Sequence, residues 1–278
     1  MNRAAYLTQP FEVSIETLAM CNARCTFCPY TTLDRKGVRM DTDLIIRLLL
    51  EMSHFEQPFF FSPFKVNEPL LDDRLFYILQ TFERTCPFGR IRLFTNGSTL
   101  TRHNVMAISL FDRIEHLWIS LNSCNAKDYE KIMGLNFENT CKKLDFLHKE
   151  KDAGLFAHPV VVSAVADDRP DVNFDFREFV LDRWPLFQAT IIKRDGWLGY
   201  VEPSDPRIPF RNCSRWFELS VMATGKVALC CMDGTGEFFI GDVHTHTLLE
   251  IYNNRFWQKH RDRGVTRQQF SPCNRCTY

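Results

Sequence analysis

Short apolar stretches with a period of two alternate with longer ones whose apolar residues recur every three to four positions. Residues 11–16, FEVSIE, read as a strand. DTDLIIRLLLEMSHF at 41–55 then reads as a helix capped by Asp41 or Thr42. The unit repeats: PFFFSPFK (58–65), RIRLFTNG (90–97) and IEHLWISLN (114–122) predict strands, while residues 72–85 and 101–113 predict helices, the latter capped by Thr101. A long helical region over 126–151, the strand HPVVVSAVA, a helix within 175–187 and the strand ATIIKRDGW bring the series to about six strand-helix units. That succession predicts an α/β fold with a parallel sheet forming a partial (β/α)6 TIM-like barrel.

The texture changes after Gly199. VEPSDPRIPFRN carries three prolines and continues neither element. A boundary there divides the chain into a partial barrel over 1–200 and a small subdomain over 201–278. The subdomain predicts a β-hairpin turning at Thr224-Gly225 and one amphipathic helix over 248–264 stopped by Gly264. His244 and His246 are expected to cap that helix rather than to bind metal.

Composition narrows the function. With 278 residues, 45% hydrophobic, the chain can bury a large core. Its 34 basic and 34 acidic residues cancel and no long single-sign run occurs, so neither nucleic acid nor a membrane surface is an expected partner. Neither a signal peptide nor an apolar span long enough for a membrane is visible, which predicts a cytoplasmic protein. Eight of the 11 cysteines crowd into positions 21–28 and 213–276. In a reducing compartment that grouping favours metal ligation over disulfides. Cys86, Cys124 and Cys141 stand apart and read as small core hydrophobes.

AMCNARCTFCPY places Cys21, Cys25 and Cys28 in a CxxxCxxC spacing directly after the first strand. Three thiolates on a four-iron cluster leave one iron free to take a small chelating cofactor. A zinc knuckle would usually want a fourth Cys or His close by, and none is near.

The motif, with aromatic Phe27 before its last cysteine, resembles the radical S-adenosylmethionine (radical SAM) superfamily, and the resemblance extends along the whole chain. It implies a [4Fe–4S] cluster on Cys21, Cys25 and Cys28 that binds S-adenosylmethionine and cleaves it to a 5′-deoxyadenosyl radical. KVNEPLLD stands where the family has a Gly-Gly-Glu-like segment, so Glu68 is expected to contact the cofactor although Val66 and Asn67 replace the glycines. Asn96 in Thr95-Asn96-Gly97, then Ser120 and Asn122, are expected to line the same site from their strand ends. Ser163 is a weaker member of that set.

The C-terminal cysteines resemble a twitch subdomain, a shortened SPASM region, in which Cys213, Cys230, Cys273 and Cys276 would saturate a second [4Fe–4S] cluster. Gly225-x-Val227-x-x-Cys230 favours Cys230 over Cys231, and the short remaining chain suggests one auxiliary cluster rather than two. Saturated ligation implies an electron carrier. A structural zinc ribbon is the alternative that the terminal CxxC allows.

Among family members the layout resembles the deoxy-scyllo-inosamine dehydrogenase type, which implies oxidation of a small-molecule alcohol with the second cluster as electron acceptor. On that resemblance Arg194 and Asp195 would face the substrate, with Asp195 assisting proton movement. An electron donor such as flavodoxin or ferredoxin is the implied protein partner. A radical SAM maturase of ribosomal peptides is the second expectation, although only about 19 residues precede Met20, few for a peptide-binding domain. A zinc-stabilised binding module is the third.

Overall fold

A computed structural model of the chain describes residues 3–261 and 264–278. Six strands, β1 (Glu12–Ile15), β2 (Phe59–Ser62), β3 (Gly89–Thr95), β4 (Ile114–Ser120), β5 (Val160–Val165) and β6 (Gln188–Ile192), run parallel in sequential order. The intervening helices are α1 (Thr42–Met52), α2 (Leu75–Thr85), α3 (Arg102–Ser109), α4 (Ala126–Met133), α5 (Phe137–Asp152) and α6 (Pro170–Arg183). The sheet stays open at β6, which makes this the expected α/β partial barrel.

Period-two alternation divides the sheet into two chemically different faces. Val13, Phe61, Leu93, Ile119 and Val162 join Leu48, Leu79, Leu144 and Val180 of the helices in one core. The opposite residues, Glu12, Phe60, Arg92, Phe94, His116 and Trp118, line the inner face. There the Phe94 ring stacks on Phe64 at 5.0 Å, and Arg92 lies 3.5 Å from the centre of the Phe60 ring.

Three expectations need correction, and the expected hairpin docks on the barrel sheet. The helical region over 126–151 is two helices, because Gly134 takes a left-handed conformation at φ 67° and Asn136 caps a new start. The hairpin strands β7 (Glu218–Val221) and β8 (Lys226–Ala228), together with β9 (Phe239–Asp242), continue the barrel sheet, since β7 pairs in parallel with β1. The single C-terminal helix is α7 (Leu248–Tyr252) and α8 (Arg255–Arg261), interrupted at Asn253-Asn254; Asp262 and Arg263 lie outside the described residues. Thr247, in a capping box with Glu250, caps α7 in place of the histidines, and His244 instead bonds Asp242 at 2.7 Å. Among the described residues, no helix is long and apolar enough to cross a membrane.

Candidate active site

Cys21, Cys25 and Cys28 occupy the loop that leaves the carboxyl end of β1. Backbone bonds fix it from both sides: Arg24 and Thr26 donate to the Met133 and Ile132 carbonyls at 2.8 and 3.0 Å, and Glu68 donates to the Met20 carbonyl at 2.8 Å. Burial pushes the Cys21 thiol up to about 12 and Cys28 up to about 11, and raises Cys25 as well. Thiols so placed become thiolates when metal supplies the compensating charge. Among the described residues no group of three or more His, Cys, Asp or Glu is set to share a single metal ion. A four-iron cluster makes a different demand, one thiolate per iron, which three neighbouring thiols can meet.

The strand-end residues form a connected polar rim. The buried Glu68 carboxylate accepts from Asn96 N at 2.7 Å, Thr95 Oγ1 at 2.8 Å, Leu70 N at 3.2 Å and Thr99 Oγ1 at 3.3 Å. It therefore ties the ends of β2 and β3 together. Desolvation raises it toward neutrality, against the lowering effect of those donors. Asn96 Nδ2 donates to Asn22 Oδ1 at 2.8 Å and lies 4.0 Å from the Cys21 sulfur. Asn122, at φ 65°, receives Val165 N on its Oδ1 at 3.0 Å, which joins the ends of β4 and β5. Ser120 closes β4 on the inner face, and Ser163 receives the Trp118 indole N–H at 2.8 Å. Asn67 Nδ2 is buried without a partner among the described residues, a donor that a polar cofactor in this rim would satisfy.

The second group is enclosed. Cys213, Cys230, Cys273 and Cys276 line one narrow cavity with Trp216, Leu229 and Met232. Cys231 is not among its lining; its thiol, raised to about 12 by burial, senses Arg215, Glu218 and Lys65 instead. Four thiols around one space match the ligand demand of a saturated cluster.

Between the two groups lie charges that sequence reasoning passed over. Buried Glu16 pairs with buried Arg35 at 2.6 Å, and Arg35 also donates to the Gly234 carbonyl at 2.8 Å, so the segment after the first cysteines is bolted to the segment after Cys231. Lys65 is fully enclosed and donates to Ser220 Oγ at 3.0 Å and the Cys230 carbonyl at 3.3 Å. Glu12 and Glu218 are register partners across β1 and β7, held by Arg92 at 2.6 Å and Arg215 at 3.0 Å respectively. For Glu12 and Glu16 the sequence signal was position, polar residues alternating with apolar ones in FEVSIE, whereas Arg35 and Arg215 lie outside the strands and carried none.

Arg194 and Asp195 lie beyond the end of β6. The Arg194 guanidinium is engaged by Asp168 at 3.0 Å and the Glu202 carbonyl at 2.9 Å. Asp195 is raised by burial, with Lys193 and Arg215 acting in opposition.

A profile described as the Radical SAM superfamily matches residues 15–166, and one described as SPASM, an iron-sulfur cluster-binding domain, matches residues 213–277. No curated protein sequence matches the chain. Similar solved structures include BtrN in complex with AdoMet and 2-DOIA, 16% identical, covering 96% of this chain and 93% of that one with a TM-score of 0.71. SuiB of Streptococcus suis bound to the precursor peptide SuiA is 13% identical, covering 96% and 70% with a TM-score of 0.70. AnSMEcpe with bound AdoMet is 14% identical, covering 90% and 82% with a TM-score of 0.63. At these identities the likeness establishes the fold.

Proposed function

Because the chain belongs to the radical SAM superfamily, an enzyme family that uses a [4Fe–4S] cluster and S-adenosylmethionine, we propose that it is a dehydrogenase-like oxidoreductase acting on a small molecule. In this reading Cys21, Cys25 and Cys28 hold the cofactor-binding cluster, and Cys213, Cys230, Cys273 and Cys276 hold a second one. When bound, these groups supply a 5′-deoxyadenosyl radical on one side of the substrate and an electron acceptor on the other.

The chain's own residues do the rest. Glu68 and Asn96 orient the cysteine loop, and Ser120 and Asn122 present polar groups to the cofactor. Phe94 and Trp118 exclude water from the inner face. Turning a secondary alcohol into a ketone removes one hydrogen atom, one electron and one proton. Asp195, made more basic by burial, is the proposed proton acceptor, and Arg194 positions the loop that carries it. Family membership sets aside the zinc-stabilised binding module.

The observation that carries this reading is the enclosed cavity of four cysteines, with Cys230 tied through its carbonyl to Lys65 on the barrel side. Changing Cys273 and Cys276 to alanine should leave 5′-deoxyadenosine formation intact and remove oxidised product. Product at the parent rate from that variant would sink the proposal. A ribosomal peptide is the second reading, favoured by the open, partly exposed β6 edge. Anaerobic turnover separates the two by whether a product two hydrogens lighter is a metabolite or a peptide.

A further inference from the structure

Among the described residues, two guanidinium groups and no carboxylate line the cavity of Cys213, Cys230, Cys273 and Cys276. Arg215 is answered by Glu218 at 3.0 Å. Arg267 has no such partner. It is 2% exposed, and its guanidinium donates to main-chain oxygens, at 3.1 Å to Arg211, at 3.5 Å to Cys276 and also to Tyr278. Those bonds reach the segment two residues before Cys213 and Cys276 itself, which holds the charge against the cavity wall. Burial raises the Cys213 and Cys273 thiols, and the Arg267 charge opposes that rise in both. A guanidinium kept out of water without a counter-charge is costly, and an anion in the cavity would offset that cost.

A neutral donor in the same wall points the same way. The Trp216 indole N–H is buried, finds no oxygen or nitrogen acceptor among the described residues, and is within reach of the Cys273 sulfur. Buried N–H groups left without an acceptor are rare in folded chains, so this one marks a place where an acceptor belongs. An unanswered cation and an unanswered donor fit one kind of occupant, an anion that carries sulfur acceptors. A cluster held by four thiolates is such an anion, and it gains one more negative charge on reduction. Its potential is set by net charge, by hydrogen bonds to sulfur and by exposure to solvent.

We propose that Arg267 and Trp216 raise the reduction potential of the second cluster and so make it an electron acceptor. The proposal rests on the reading of Cys213, Cys230, Cys273 and Cys276 as cluster ligands. Arg267 favours the reduced, more negative form through its charge, and the Trp216 N–H does so by donating toward sulfur. Neither is assigned a contact with substrate; both act through the cluster.

The test is a redox titration of reconstituted holoenzyme followed by electron paramagnetic resonance, with no substrate present. A failure to find oxidised product in turnover would thus overturn the dehydrogenase reading without touching this one. Arg267→Gln should lower the equilibrium constant for reducing the second cluster about tenfold, a fall of about 59 mV for one electron. Arg267→Lys keeps the charge and should recover most of that fall. Trp216→Phe keeps an aromatic ring but loses the N–H, and should lower the constant about threefold. The first cluster should titrate alike in all four proteins, and about eight irons per chain identify the variants that are assembled. Unchanged titrations of the second cluster in both Arg267→Gln and Trp216→Phe would overturn the proposal. So would an equal fall in Arg267→Gln and Arg267→Lys, because shape rather than charge would then be responsible. If Arg267→Gln does not assemble the second cluster, Trp216→Phe decides: a fall supports the proposal and an unchanged titration overturns it. A parent protein that holds zinc, or only about four irons, would instead overturn the ligand reading, and the proposal with it.

Discussion

The two cysteine groups use the same ligand chemistry in opposite settings. The first sits on a loop at the carboxyl edge of the sheet, with three half-buried thiols and a rim of amide and hydroxyl groups around them. The second lines one narrow cavity walled by Trp216 and Leu229, with four thiols drawn from three separate segments of the chain. An open site can exchange a ligand and receive electrons from outside, whereas an enclosed, saturated one can only hold and pass charge. In the proposed reading, one ligand chemistry is given two roles by the number of thiols and by their surroundings.

The strongest way to break this contrast is to remove the open site. Replacing Cys21, Cys25 and Cys28 with alanine should lower bound iron from about eight to about four per chain and abolish cofactor cleavage, measured by iron analysis and anaerobic 5′-deoxyadenosine assay. Residual cleavage at even a few per cent of the parent rate would place the chemistry elsewhere.

A finer test asks which thiol completes the enclosed site. Cys230→Ser should lose the second cluster's electron paramagnetic signal and about four irons, while Cys231→Ser should keep both and cost about 1–2 kcal/mol from a polar group placed in a buried position. The opposite pattern would transfer the ligand role to Cys231.

Next in size is the pH response of the enclosed region. Glu218 is pushed up to about 7, by burial first, with Arg215 opposing. A carboxyl raised in the folded state binds its proton more tightly there than when unfolded. Its contribution is thus present below its ordinary value and is lost as pH rises through about 7. Glu218→Gln should flatten the decline in stability between about pH 4.5 and 7.5 by on the order of 2 kcal/mol, read from urea midpoints. An identical slope in the variant would rule this out.

The smallest effect concerns the join between the regions. A Cβ at Gly234 would stand 2.6 Å from Pro29 Cγ and 3.1 Å from Trp197, so Gly234→Ala should cost about 1–2 kcal/mol through overpacking. A variant as stable as the parent would mean that the two loops separate more easily than their packing suggests.

Much of this could be read from residue order because the information was local. Alternation in FEVSIE and RIRLFTNG reports a strand with one buried face, and Thr101 bonds Asn104 N at 3.1 Å as a cap should. The CxxxCxxC spacing announces its chemistry for the same reason. What escaped was set by distant partners. Nothing near Arg35 indicates that Glu16 will neutralise it, and nothing near Lys65 announces its bond to the Cys230 carbonyl. The parallel docking of β7 on β1 was equally hidden, because a four-residue apolar strand carries no mark of which edge it will join. At Asn253-Asn254 the apolar period ran on across a break whose side-chain amides donate to the distant Thr8 and Ile240 carbonyls.

That parallel docking has a consequence for biosynthesis. β1 emerges from the ribosome about 200 residues before β7, the strand that covers its outer edge. Throughout that interval one side of the nascent sheet displays unpaired N–H and C=O groups bordered by Val13 and Ile15, a surface suited to pairing with another chain. Fragments that stop short of β7 should therefore be sticky even where the six parallel strands are complete, and slowing translation of the last quarter of the message should lower the soluble yield.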